Sequence, residues 1–407
     1  MEDKNITMAR RVAEAVDNAG GCTYYVGGFV RDRLMGVDCK DVDIEVHGIV
    51  PQKLVEILDG IGQHTEMGAS FGIYGLRHYE LDIAMPRSER AIGRGHKDFE
   101  IFTDPFLGAE KAAKRRDFTI NAMMENVLTG EVSDFFGGRE DLERKLLRHV
   151  DDVSFSEDPL RVLRCAQFAA RFGFSVDAKT EELCGKMGLT ELPRERIMGE
   201  LEKALLKAEQ PSAFFTVLDG MGQLDFWFGG YAALTEKERA ETDALLDESA
   251  KSREKAKFPL YFMFSALCRY MPDAKGFAEK LSGENGLLEY TANMCALCGE
   301  VRRLCDDDAP DEMWNTLFDK SVCPEDLFLL ADALNNDASA KEKGEKKLAE
   351  YRKLMARPYV MGRDLIAAGL KPDKNFSDYL KYAHTLRLRG TEKNEALKKT
   401  LEYARNK

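Results

Sequence analysis

The chain is poor in several features that would each place a protein early. Of its 407 residues only 2 are Trp and 6 are His. No stretch approaches the ~20 consecutive apolar residues of a membrane-spanning helix, which excludes a helical membrane protein. The start, MEDKNITMARRVAEAV, lacks the apolar run of a secretory leader, and its acids set it apart from an Arg-rich transit peptide. A cytoplasmic protein is expected, with no membrane and no protein partner implied. Base is also short: 59 Lys and Arg against 71 Asp and Glu leave a net charge of −12. That balance excludes a protein that coats nucleic acid indiscriminately, but it allows a confined basic patch. The pairs Arg194/Arg196, Arg302/Arg303 and Arg387/Arg389 are candidates for one.

A disulfide framework is missing as well. The 9 cysteines are odd in number and scattered, the pattern of reduced thiols. The densest group, Cys295-x2-Cys298 with Cys305, has no second CxxC pair and no histidine cluster nearby. Its segment, TANMCALCGEVRRLC, reads as a helix with buried thiols rather than a zinc site.

What is present is a change of period along the chain. Up to about Val132, short apolar runs alternate with helical stretches. Residues 22–26, 41–46, 71–76 and 79–84 read as strands, and PQKLVEILDGI reads as a helix. From Leu142 onward almost everything has helical spacing, as in PLRVLRCAQFAARF, RERIMGELEKALL and PSAFFTVLDGM. The fold class expected is α+β, a small mixed-sheet head followed by an elongated all-helical remainder.

The chemistry concentrates in YYVGGFVRDRLMGVDCKDVDIEV. A strand ends in Gly27-Gly28, where missing side chains let backbone N–H groups approach phosphates, and a helix follows whose N-terminal dipole favours the same anions. Arg31, one turn in, has a fork suited to a triphosphate. Asp41 and Asp43 stand one residue apart on the next strand, and period two points both carboxylates to one face. Two hard oxygen donors of that kind hold Mg²⁺ against substrate phosphates, as two-metal nucleotidyl transfer requires. Asp82, on YELDIA, is the third acid expected to complete the catalytic set.

GGFVRDRLMG followed by KDVDIEV resembles the signature of the nucleotidyltransferase branch that holds class II CCA-adding enzymes and bacterial poly(A) polymerases. The resemblance continues in KRRDFTINAMM, DFFGGREDLERKLLRHV, SEDPLRVLRCAQFAARFGF and LPRERIMGELEKAL, and returns weakly in VMGRDLIAAGLKPDKNF. It implies a nucleotidyltransferase head over 1–135 and a helical neck over 136–207 that carries the base-reading helix. A helical body over 208–320 and a tail over 321–407 would follow. It also implies tRNA, at its 3′ acceptor end, together with CTP and ATP as partners.

Carried over by position, Arg116 and Asp117 would contact the ribose and phosphates of the incoming nucleotide, and Asn121 would hold that segment in place. Asp158 and Arg161, three apart and expected on one helix face, would read the base. The carboxylate accepts the exocyclic amine of C or A, while the guanidinium donates to the ring acceptor; U and G would leave the carboxylate unpaired. Arg164 would add a phosphate or base contact. Many relatives also carry a phosphohydrolase marked by a His-Asp pair. None of His47, His64, His78, His96, His149 and His384 is followed by Asp, so no hydrolase activity is expected.

The reading favoured is complete CCA addition, because residues 88–100 suit the mobile loop that the family needs to switch from C to A. A CC-only enzyme stays open. So does a poly(A) polymerase, although KDVDIEV departs from the Lys-Asp-Phe-Asp-Val-Ala version usual there. A catalytically dead RNA-binding scaffold is disfavoured by the presence of Asp41 and Asp43.

Overall fold

A computed structural model describes residues 4–39, 41–66, 73–91, 99–306, 309–335 and 339–406. In the head, β1 (Cys22–Val26) lies antiparallel to β2 (Val42–His47), with Tyr25 opposite Ile44. Along β2 the apolar residues Val42, Ile44 and Val46 point to one face and are almost wholly buried. Against that face pack Val12 and Val16 of α1 (Lys4–Asn18) and Leu54 and Leu58 of α3 (Pro51–Ile61). Asp43, Glu45 and His47 therefore share the opposite face.

Beyond β2 come β5 (Leu81–Ala84), β4 (Ile73–Leu76) and β3 (His64–Glu66); beyond β1 come β8 (Met124–Asn126) and β9 (Val132–Ser133). The seven-stranded order is β3-β4-β5-β2-β1-β8-β9. The sheet is mixed, since β2 and β5 run parallel while their other neighbours are antiparallel. The first expected strand is observed as read. The second shifts by one residue to 42–47, and 79–84 shortens to 81–84. The third is observed as 73–76, residues 71 and 72 lying outside the described residues.

The stretch expected to be a mobile loop contains structure at both ends. β6 (Arg87–Ala91) and β7 (Phe99–Thr103) pair as an antiparallel ribbon from Arg87↔Thr103 to Ala91↔Phe99. Residues 92–98 lie outside the described residues. β6 escapes a reading by alternation because its sequence, RSERA, carries almost no apolar signal.

The chain continues through α4 (Ala109–Lys114), a 3₁₀ turn over Thr119–Asn121, α5 (Gly138–Glu143), α6 (Asp152–Ser156), α7 (Leu160–Phe172) and α8 (Ala178–Gly185). Leu146–Leu147 pairs with Ser175–Val176, a small exception to the all-helical expectation. One compact unit comprises Met1–Leu192 with Val217–Gln223, and a second comprises Pro193–Thr216 with Leu224–Lys407. The boundary at Leu192 falls inside the segment read as neck.

Every regular element in the described part of the second unit is helical. The helix Asn285–Asp306 holds Cys298 buried and Cys295 half-buried. Asp326, 1% exposed, accepts from the Lys257 and Phe258 N–H groups and from the Tyr290 hydroxyl, satisfying a carboxylate inside an apolar core. The expected basic clusters lie in this unit and have local partners: Arg194 with Glu195, Arg302 with Asp306, and Arg389 with Glu312. Arg387 donates to the Met355 carbonyl and lies over Tyr359. Among the described residues no helix is long and apolar enough to cross a membrane.

Candidate active site

β2 and β5 run parallel with Asp43 in register beside Asp82, so the two carboxylates leave one sheet face from strands ~4.8 Å apart. Both line a cavity of 390 Å³, together with Glu45, Arg87, Arg115 and Arg116. Burial pushes the Asp43 carboxyl up, Asp82 and Asp41 add like charge, and Arg116 opposes them; the group reaches about 6. Asp41 itself stands exposed just ahead of β2, where its carbonyl accepts from the Cys39 thiol. The pair that shares the cavity is therefore Asp43 with Asp82, rather than Asp41 with Asp43 alone. Distant strand pairing decides this, and the spacing of an Asp-x-Asp motif does not report it.

Hard oxygen donors under mutual repulsion fit a divalent cation. Mg²⁺ takes one or two protein carboxylates and draws the rest of its shell from phosphate and water. Among the described residues no group of three or more His, Cys, Asp or Glu side chains stands ready to hold a metal ion.

Gly27 sits where the strand turns, with φ 68°. A Cβ there would stand 3.1 Å from Arg116 Nη1 and 3.9 Å from Asp43 Oδ2. The glycine thus leaves open the space between the Arg116 guanidinium and the Asp43 carboxylate. Gly28 opens α2 (Gly28–Leu34). Arg116 reaches the other way to Glu45 Oε2 at 3.5 Å. Burial alone would raise the Glu45 carboxyl, but its bond to His47 and the charges of Arg116 and Arg87 hold it below the usual carboxylate range. Sequence reasoning missed Glu45, Arg87 and Arg115. For Glu45 a signal existed, since it lies two residues beyond Asp43 and shares its face.

Four expected site residues form a separate buried network. Asp117 Oδ1 accepts from the Phe118 N–H at 2.8 Å and from Asn121 Nδ2 at 3.0 Å. Its Oδ2 accepts from Arg164 Nε at 2.8 Å. Burial would raise this carboxyl, yet Arg164 and these donors outweigh it and hold it down. Asn121 Oδ1 in turn accepts from Arg31 Nη1 at 2.6 Å. Arg31 is 3% exposed, ion-paired with Asp32 at 2.6 Å, and lies over the rings of Phe168 and Phe172. Arg31, expected to reach a triphosphate, here ties α2 to the 3₁₀ turn with its fork. Asp117 and Arg164, expected as nucleotide contacts, are engaged with each other. Asn121 bonds both Asp117 and Arg31.

Asp158 is also placed differently from the reading. The helix starts at Leu160, so Asp158 lies just before it and its Oδ1 accepts the Leu160 N–H at 3.1 Å. Pro159 intervenes, and the residue before a proline is pushed out of helical conformation. Arg161 donates to the Ser154 carbonyl and to the Arg115 carbonyl at 2.7 Å. Its guanidinium thus links the α6–α7 turn to the segment that carries Arg116.

Residues 23–148 match the family model of the poly A polymerase head domain. A multifunctional CCA protein of Laribacter hongkongensis is 37% identical over 298 residues, which are 69% of this chain and 70% of that protein. One of Haemophilus ducreyi is 37% identical over 263 residues, 60% of this chain and 62% of the relative. The chain therefore spans under two thirds of the length of one of these relatives and little more of the other. The structure of the Bacillus stearothermophilus CCA-adding enzyme in complex with CTP superposes with a TM-score of 0.76 at 20% identity, covering 99% of this chain and 98% of that one. That likeness establishes the fold, a mixed-sheet head with a largely helical body. With the identity to the Laribacter relative, it follows that the chain belongs to the CCA-adding nucleotidyltransferase family.

Proposed function

We propose that this protein adds C, C and A in turn to the tRNA 3′ end without a nucleic-acid template, using CTP and ATP and releasing pyrophosphate. The observation that carries the reading is the juxtaposition of Asp43 and Asp82 with Arg116 in one cavity against Gly27. Acids that concentrate a cation and a guanidinium that takes phosphate oxygens are the two things nucleotidyl transfer asks of a protein. In the reaction the tRNA 3′-hydroxyl oxygen bonds to the α-phosphorus, its proton leaves, and the bond from that phosphorus to pyrophosphate breaks.

Asp43 and Asp82, with Asp41 nearby, would hold Mg²⁺, which would supply charge to activate the hydroxyl and steady the leaving group. Arg116 orients the triphosphate tail. Asp158 offers an acceptor for the exocyclic amine of C or A, since a carboxylate that takes one backbone N–H keeps further lone pairs. Arg161 shapes the same region by holding two backbone carbonyls. Arg31, Asn121, Asp117 and Arg164 keep the nucleotide-facing segments in register. The segments 1–135, 136–207, 208–320 and 321–407 serve in this scheme as head, neck, body and tail. We place the protein in the cytoplasm, where its nine free thiols stay reduced.

Incubation with tRNA lacking its 3′ CCA, offering CTP and ATP singly and together, tests the reading. Two cytidines with CTP alone, and a terminal adenosine only when both are present, are expected. A homopolymer from ATP alone would establish a poly(A) polymerase instead, and a stop after CC a CC-only enzyme.

A further inference from the structure

One guanidinium faces Glu45 and adds its charge to Asp43, two acids that stand two residues apart on β2. Arg116 Nη1 lies 3.1 Å, and Asp43 Oδ2 3.9 Å, from the point a Cβ on Gly27 would occupy. Arg116 Nη2 is 3.5 Å from Glu45 Oε2. The other oxygen of Glu45 is taken, because Oε1 bonds His47 Nε2 at 2.8 Å. His47 is buried and meets the ring of Tyr24 edge-on at 5.3 Å, and Tyr24 is the β1 residue directly opposite Glu45. The carboxylate of Glu45 is therefore held on one side by a braced imidazole and turned on the other toward Arg116, with Arg87 adding its charge. Both of its oxygens face donors, although it shares the face of Asp43.

An arginine side chain has a long stem with much rotamer freedom to lose, and fixing it before the ligand arrives spares that loss at binding. The 3.5 Å contact sits at the long edge of hydrogen bonding, so it directs the guanidinium while leaving its other N–H groups for a ligand.

We infer that Glu45, braced by His47, is the positioning residue for Arg116, setting its guanidinium against Gly27 so that it meets the phosphates of the incoming nucleoside triphosphate. The inference rests on the nucleotidyl-transfer reading above. It makes a specific demand: because every nucleoside triphosphate has the same tail, loss of Glu45 weakens CTP and ATP alike and leaves the choice between them unchanged.

The test is a double-mutant cycle on the full chain, with Glu45→Gln, Arg116→Lys and the pair. Steady-state addition is measured on tRNA lacking CCA with CTP, and on tRNA lacking only the last A with ATP. Glu45→Gln should lower kcat/KM by ~10-fold for both nucleotides, mostly through KM, the size expected for loss of one charge-assisted contact. Combined with Arg116→Lys it should add almost nothing, because its effect runs through that residue. Multiplicative effects, or a loss confined to one nucleotide, overturn the assignment. Absence of any incorporation by the wild type would instead defeat the functional reading beneath it. Should Glu45→Gln melt at a lower temperature, His47→Leu carries the same cycle. Its coupling to Arg116→Lys supports positioning, and simple multiplication of the two losses refutes it.

Discussion

Arg164 closes on Asp117 with two nitrogens, Nε at 2.8 Å and Nη2 at 2.6 Å from the same carboxylate oxygen. Through this pair α7 is fastened to the segment that carries Arg116. Breaking it from one side leaves a buried carboxylate without its main counter-charge. Arg164→Ala should therefore destabilise the head by about 3 kcal/mol, read by urea unfolding. The Asp117 carboxyl is held below its ordinary 3.8 in the folded state. Its contribution to stability is thus fully present above that value and is lost as the pH falls through the lower folded one. The wild type should lose stability more steeply than Arg164→Ala on acidification in that window, and parallel curves would show that the pair contributes nothing.

Asp43 and Asp82 are predicted to matter together for chemistry and little for RNA. Either one changed to Asn should reduce nucleotide incorporation by ~10³-fold, the scale of losing preorganised charge stabilisation. Filter binding of tRNA should be unaffected, because phosphate affinity comes from basic groups. An Asp82→Asn enzyme with full activity would remove that residue from the site. Asp41→Ala is expected to be impaired as well, since Asp41 adds to the charge felt by Asp43.

Two glycines should fail for different reasons when given a methyl group. Gly27→Ala places a Cβ against Arg116 at a positive φ, costing roughly 1 kcal/mol of stability while raising KM for both nucleotides. Gly138→Ala would put a Cβ 2.3 Å from the Thr119 carbonyl oxygen, so α5 must move off the 3₁₀ turn. A stability loss of about 2 kcal/mol is expected there. Thermal melts and kinetics on the two variants should therefore rank them in opposite orders.

Asp158 has a backbone duty and a proposed base-reading duty, which two substitutions separate. Asp158→Ala removes the acceptor for the Leu160 N–H and should cost about 1 kcal/mol, besides letting UTP and GTP be incorporated. Asp158→Asn keeps a side-chain oxygen for that N–H but adds an amide donor. It should restore stability without restoring discrimination against UTP and GTP. Unchanged nucleotide choice in both variants would remove Asp158 from base reading.

Much of the head was legible locally. Alternation along VDIEVH sends Val42, Ile44 and Val46 inward and places Asp43 and Glu45 on the open face, and a helix at PQKLVEILDGI follows from spacing alone. β6 was not legible, because a polar strand paired only with β7 carries no apolar period. The start of α7 was misread by two residues because the Pro159 constraint on Asp158 was passed over in favour of helical spacing.

From the sequence by itself, side-chain type and local period pointed the acids and the glycine turn to one chemistry, and the family resemblance added the arginine-rich segment. Which of them meet was decided only by tertiary structure. Arg31 finds Asn121 across 90 residues, Asp117 finds Arg164 across 47, and Asp82 reaches Asp43 through the register of two parallel strands. A guanidinium has equal local claim on a phosphate, a carboxylate or an aromatic face. Burial and the nearest distant partner choose among them, and neither is written within a few residues of the side chain.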